Sequence, residues 1–193
     1  MDSPPPPDLS AFLAALTVEL ERRDLRFMLI GGQAVLLHGR PRFTEDVDVT
    51  LAAGPDALPA LRAASEALGL SPLPDDPEAF ARRTFVLPVR HTPSGIRVDF
   101  IFSTTAYEAQ AVARATRVPL GGAQVPFATA EDLLIHKLFA GRPRDLEDAE
   151  GIVRRQRATL DWTYLGRWVA EFALVPGREG MPEALARLQT LAR

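Results

Sequence analysis

The chain has 193 residues, 47% of them hydrophobic and 24% charged, with a formal net charge of −3. That is enough apolar material for one full core, or for one domain with a helical appendage. With no cysteine there is no disulfide framework, thiolate metal site or cysteine nucleophile. The charge balance excludes a global basic footprint, so any nucleic-acid partner has to be met by a local patch.

The opening "MDSPPPPDLS" lacks the basic and then apolar regions of a secretory signal and reads as a stiff, exposed tail over residues 1–8. No apolar run approaches the roughly 18–20 residues that span a bilayer. The expected location is cytoplasmic, without a membrane partner. Residues 9–24 have apolar positions at helical spacing. "RFMLI" (26–30) reads as a buried strand, and "GGQAVLLHGR" (31–40) as a short helix stopped at Gly39. A strand over 46–51 follows, then a helix over 54–70 with Pro55 near its start and Gly69 at its end. The prolines of "SPLPDDPEAF" (71–80) indicate a loop.

Residues 82–89 and 95–103 read as an antiparallel strand pair joined through "TPS" (92–94), and 107–115 as a short helix. "RVPLGGAQVPF" (117–127) is a hairpin about Gly121-Gly122. From Thr129 the pattern turns helical. Thr129 and Asp132 come close to a capping box for a helix over 129–141, and Pro143 opens the next, over 142–156. Two further helices cover 161–175 and 181–192. The expected organisation is an α/β core over 9–127 with a mixed sheet flanked by helices, and a helical segment over 128–193 packed on it.

Three features in this order carry chemistry. The first is a strand that ends at Gly31-Gly32 where a helix starts, which offers unpaired N–H groups to phosphate with no Cβ in the way. The second is "RFTEDVDVT" (42–50), in which Asp46 and Asp48 share one face of a strand while Val47 and Val49 share the other. Adjacent carboxylates repel unless something positive lies between them. The third is Asp99, inside "RVDFIF". Clustered carboxylates suit Mg²⁺, which keeps some waters and completes its shell with phosphate oxygens. Two such ions could activate a hydroxyl and stabilise a leaving pyrophosphate. Each feature also has a plain reading: a tight turn, a solvated acidic face, and an Asp99 that merely pairs with Arg97.

The cations are lopsided, since all but one of the 22 Lys and Arg residues are arginine. A drift toward arginine replaces lysines whose role is only to be positive, so the survivor, Lys137, points to a task suited to a compact ammonium. Survival by chance is the alternative.

Gly-Gly after an apolar strand, 13 intervening residues, Asp-Val-Asp and a later strand Asp resemble the DNA polymerase beta-like nucleotidyltransferase superfamily. "GGQAVLLHGRPRFTEDVDV" is closer still to the abortive-infection (AbiEii-like) nucleotidyltransferases, including the Arg-x-Thr before the acids. "HKLFAGRPRDLEDAEGIV" is similar to that group's later motifs: a helix lysine, then an arginine, then Asp-x-x-Asp. The likeness covers residues 26–153. It implies that Gly31 and Gly32 cradle a triphosphate, and that Asp46, Asp48 and Asp99 ligate Mg²⁺, two ions in all, with Mn²⁺ able to substitute. It further implies that Asp99 serves as base for the attacking hydroxyl and that Lys137 neutralises phosphate charge. Arg42, Thr44 and Asp148 join the nucleotide-binding set. For Asp145 and Asp148 an ordinary alternative stands, since acids early in a helix offset its dipole.

The histidines (His38, His91, His136) have no zinc-site spacing. Trp162, Tyr164 and Trp168 read as core packing, and "RRQR" (154–157) as a solvated helix end or a contact for RNA phosphates. The resemblance implies transfer of an NMP from an NTP such as ATP to an acceptor hydroxyl, with release of pyrophosphate. The acceptor would be a tRNA 3′ end, and the protein a toxin with a cognate antitoxin. Two alternatives stay open at this point. One is an antitoxin-like enzyme that transfers AMP to a protein hydroxyl, with a toxin as partner. The other is a non-catalytic nucleotide-binding module of the same fold.

Overall fold

The computed structural model describes residues 8–41, 44 and 46–192. The chain divides into two compact units, Met1–Ile30 with Thr44–Phe127, and Gly31–Phe43 with Ala128–Arg193.

The first unit is α/β. Helix α1 (Leu9–Glu21) starts at Asp8, whose carboxylate accepts from the N–H groups of Ser10 and Ala11. Strands β1 (Phe27–Ile30) and β2 (Asp46–Leu51) follow in chain order, then a 3₁₀ turn (Pro55–Ala57) and helix α3 (Leu58–Ala67); α2 belongs to the second unit. The remaining elements are β3 (Leu70–Pro72), α4 (Pro77–Thr84), β4 (Val86–His91), β5 (Arg97–Phe102), α5 (Ala106–Arg114), β6 (Thr116–Leu120) and β7 (Ala123–Phe127). The strands form one seven-stranded sheet in the order β3-β4-β5-β2-β1-β7-β6. It is mixed: β2 runs parallel to β5 and β1 parallel to β7, while the other pairs are antiparallel.

One expectation fails between residues 71 and 89. The loop expected over 71–80 is confined to residues 73–76, because Leu70–Pro72 form a strand and Pro77 opens a helix. Its missing N–H falls where no intrahelical partner exists, and Asp76 caps the turn by accepting from Ala79 N. The strand expected from residue 82 accordingly begins at Val86, after Phe85 ends α4 in the left-handed region at φ 57°. The helix expected over 54–70 begins as the 3₁₀ turn and stops at Ala67, and Leu70 already belongs to β3.

The register between β2 and β5 positions the acids. It pairs Asp46 with Arg97, Asp48 with Asp99, and so on to Leu51 with Phe102. Val47, Val49, Leu51, Val98, Phe100 and Phe102 are buried on one face. That hydrophobic set locks the register, because a slip of one residue would turn every one of these side chains to the other side.

The second unit is helical: α2 (Gly31–His38), α6 (Ala130–Ala140), α7 (Pro143–Gln156), α8 (Trp162–Phe172) and α9 (Met181–Leu191). Its core includes Val35, Leu134, Leu138, Ile152, Leu165 and Leu185. Where α2 meets α7, a Cβ added to Gly39 would stand 3.1 Å from Ile152 Cγ1. His38 Nε2 donates to the Ala128 carbonyl (2.8 Å), and burial holds the ring's pKa below its ordinary value against that bond. Asp132, fully buried, accepts from Thr129 Oγ1 (2.7 Å) and Tyr164 Oη (2.6 Å). Of the aromatics expected in the core, Tyr164 and Trp168 are buried and Trp162 is half-buried.

The β6–β7 hairpin turns on Gly121 and Gly122, with φ of 57° and 88°. A Cβ on Gly121 would lie 2.3 Å from the backbone oxygen of Ser10 in α1, whereas one on Gly122 would meet nothing. Gly122→Ala is therefore expected to cost about 1 kcal/mol, from backbone conformation alone. Gly121→Ala adds a collision with α1 and is expected to cost about 3 kcal/mol. Urea denaturation of the two variants beside the parent measures the difference.

Candidate functional site

Asp46, Asp48, Arg97 and Asp99 occupy successive register positions on the face of β2 and β5 opposite the buried valines and phenylalanines. Asp46 is exposed, and the other three are half-buried. Neighbouring strands run about 5 Å apart. Two carboxylates at that spacing repel by on the order of 3 kcal/mol at an effective dielectric of 20, and by less where water reaches them. Arg97 opposes this repulsion. Its Nε donates to Asp99 Oδ1 at 2.9 Å and its Nη2 to Oδ2 at 3.0 Å, a two-pronged pair. The bond to Asp99 raises the guanidinium's pKa first; burial opposes that, and the fields of Asp99, Asp46 and Asp48 add to it. So the plain reading of Asp99, that it pairs with Arg97, holds alongside its place beside Asp48.

Among the described residues of β2 and β5, three carboxylates and one guanidinium lie on this face. Their oxygens are the donors that Mg²⁺ takes, and Arg97 already stands among them as a cation. The donor chemistry therefore fits a hard divalent ion. The arrangement is not yet a cage, since among the described residues no group of three or more His, Cys, Asp or Glu side chains is placed to hold a metal ion. Both oxygens of Asp99 are taken up by Arg97. Thr44 Oγ1 lies 3.5 Å from the Asp46 carbonyl, as a donor to it. Arg42 falls outside the described residues.

Ile30, the register partner of Asp48, is followed in the chain by Gly31, the first residue of α2. Gly31 has φ 61°, a conformation that favours glycine, and Gly32 is buried.

The second unit gathers the other expected residues. Lys137 on α6 is buried, and its Nζ lies 2.9 Å from Asp145 Oδ1 and 2.8 Å from Asp148 Oδ2, both on α7. Arg142 Nε lies 2.5 Å from Asp145 Oδ2, with a side chain 76% exposed. Lys137 and Arg142 thus face Asp145 and Asp148 across α6 and α7. Asp145 does lie in the first turn of α7, but its oxygens go to Lys137 and Arg142 and not to the helix's own N–H groups. Arg97, expected only as a plain partner of Asp99, and Arg142, given no role of its own, both take part. The signal for Arg97 was the Arg-x-Asp alternation, which puts both side chains on one strand face.

Several solved structures share this architecture. The antibiotic-resistance factor ANT(2″)-Ia in solution is 15% identical over 94% of each chain, with a TM-score of 0.55. Its crystal structure in complex with adenylyl-2″-tobramycin is 14% identical over 94% of this chain and 97% of that one, at 0.52. An antigenic nucleotidyltransferase-like protein from Paracoccidioides brasiliensis is 20% identical over 93% and 92%, at 0.55. At these identities the likeness establishes the fold. No curated protein sequence matches the chain. The family model for the nucleotidyl transferase AbiEii toxin, type IV toxin–antitoxin system, matches residues 12–178, and the chain belongs to that family of nucleotidyltransferases. No helix among the described residues is long and apolar enough to cross a membrane.

Removing Lys137 would leave two buried carboxylates without their ammonium, so Lys137→Met is expected to destabilise the fold by about 3–5 kcal/mol. Acid should expose the same network. Burial pushes the Asp145 carboxyl up, but hydrogen bonds from Arg142 and Lys137 outweigh it and hold the pKa below the ordinary aspartate value. A lowered folded pKa contributes stability that is full above about pH 4 and is lost as pH falls through the folded value. Urea melts between pH 5 and pH 2 should show the parent losing its advantage over Asp145→Asn across the lower part of that range.

Proposed function

We propose that this nucleotidyltransferase moves a nucleoside monophosphate from an NTP to the 3′ hydroxyl of an RNA, with tRNA the expected acceptor. In this reading it acts in the cytoplasm as the toxin of a toxin–antitoxin pair. The observation that carries the transfer chemistry is the in-register pairing of β2 and β5, which sets Asp46, Asp48 and Asp99 on one face. Family membership supports the toxin role and a cognate antitoxin. The RNA acceptor rests on the resemblance of the motifs to abortive-infection toxins.

The reaction forms a bond from the acceptor oxygen to the α-phosphorus and breaks the bond from that phosphorus to the oxygen bridging to the β-phosphate. Pyrophosphate leaves with the electron pair. Asp46, Asp48 and Asp99 would hold Mg²⁺, or Mn²⁺ in its place. The bound ions would supply positive charge for the attacking and leaving oxygens. Asp99 would accept the proton of the attacking hydroxyl. Gly31 and Gly32 present backbone N–H groups at the start of α2, suited to phosphate oxygens. Lys137 would offset phosphate charge, with Asp148 holding its ammonium in place. Arg42 and Thr44 flank the acids in sequence and complete the set that would bind the nucleotide.

Incubation with Mg²⁺, each labelled NTP, and either total tRNA or cell lysate tests the proposal. Label on RNA is expected. Label on protein alone would replace the acceptor, and no label on either would overturn the transfer reading. Asp48→Asn removes a metal ligand at constant shape. Even outer-shell changes around a metal cost 10–100-fold, so a loss of at least about 100-fold is expected, with an unchanged thermal melt. Lys137→Arg should lose about tenfold in rate despite retained charge, because a planar fork does not reproduce a compact ammonium.

A further inference from the structure

Arg97 sits on the acid face by the alternation of β5, and it faces Asp46 across the parallel pair. Its Nε and Nη2 engage both oxygens of Asp99, the atoms that would have to turn to a metal ion. Yet the Arg97 side chain is 43% exposed and that of Asp99 is 20% exposed. Ion pairs with this much access to water are weak and open readily. Arg90, which pairs with Arg97 in register on β4, turns its Nη1 to the Gly95 carbonyl and is not a second partner for Asp99.

We propose that Arg97 is a built-in counter-cation, which Asp99 exchanges for a divalent metal ion. In the metal-free protein the guanidinium holds the Asp99 carboxylate in place and relieves its repulsion with Asp48. Binding of the ion requires the pair to open, so the ion pair and the metal compete for the same two oxygens. Arg97 is thus a positioning residue that acts through Asp99 and sets the metal concentration at which the acid face fills. This inference rests on the metal-binding reading of Asp46, Asp48 and Asp99.

Binding of Mn²⁺ to the full chain, followed by the electron paramagnetic resonance of free Mn²⁺, tests it without any assay of activity. If the pair must open first, the apparent affinity is reduced by the fraction of time that Asp99 is available. Arg97→Gln is expected to tighten Mn²⁺ binding about fivefold, which corresponds to about 1 kcal/mol, the upper range for exposed pairs. Arg97→Lys keeps the charge but loses the fork, and is expected to tighten binding about twofold. If Arg97→Lys matches the parent while Arg97→Gln tightens, the effect is one of net charge and the exchange is overturned. Arg97→Gln binding no tighter than the parent, with Asp99→Asn weaker than both, also overturns the exchange but leaves the metal reading standing. Failure of the parent and all variants to bind Mn²⁺ overturns both. Metal-free circular dichroism melts confirm that each variant is folded.

Discussion

The parallel, in-register pairing of β2 with β5 is the constraint from which the chemistry of the first unit follows. Six consecutive residue pairs share it, and alternate members of each strand are fully or nearly buried. The apolar face supplies the stabilising energy, at roughly 25 cal/mol per Å² of apolar surface removed from water. The acid face supplies little, since its carboxylates repel and the Arg97–Asp99 pair is open to water. Carboxylates side by side are tolerated because the valines and phenylalanines behind them hold the strands together regardless. Any sequence change that loosened the apolar face would let the register slip, and the carboxylates would lose their shared side before they lost their charge.

That division of labour explains why the acidic strand was readable from sequence and its neighbour was readable only in part. In "DVDV" the period of two and the β-branched residues agree, so strand and face follow together. "RVDFIF" shows the same alternation, but nothing local reveals that Asp99 falls opposite Asp48; that is a fact of the crossover, which carries the chain through α3, β3, α4 and β4 before it returns. The prolines of 71–80 misled for a related reason. Pro77 suits a loop and the first turn of a helix equally, and the bond that Asp76 accepts from Ala79 N–H marks the helix. Helices α6 and α7 were legible because Thr129, Gly141 and Pro143 punctuate them at the expected places.

The Arg97–Asp99 pair shows how a charged face can be ordered while its ion pair stays open to water. A fully buried pair at this place would be hard to open, since breaking it would strand a charge away from water. A fully exposed one would do little to order the carboxylate. Partial exposure lies between these limits. The guanidinium orders Asp99 through two bonds while solvent keeps the cost of opening low.

The lone lysine admits a physical account that does not start from phosphate. Lys137 is buried, and it joins α6 to α7 by ion pairs to two carboxylates that are buried as well. A guanidinium in that space would need room for a planar fork and for five N–H donors, where an ammonium has three. Arginine drift would stop at such a position for packing reasons alone. The phosphate role proposed for Lys137 would be layered on this one. An ammonium that offsets phosphate charge from here does so while held by Asp145 and Asp148, which together carry more negative charge than it can cancel. Arg142 adds a second cation at Asp145 from an exposed position, without competing for the buried space. The same lysine can thus be required for the fold and for the reaction, and a loss of rate on its replacement is evidence for the second role only where the first is held constant.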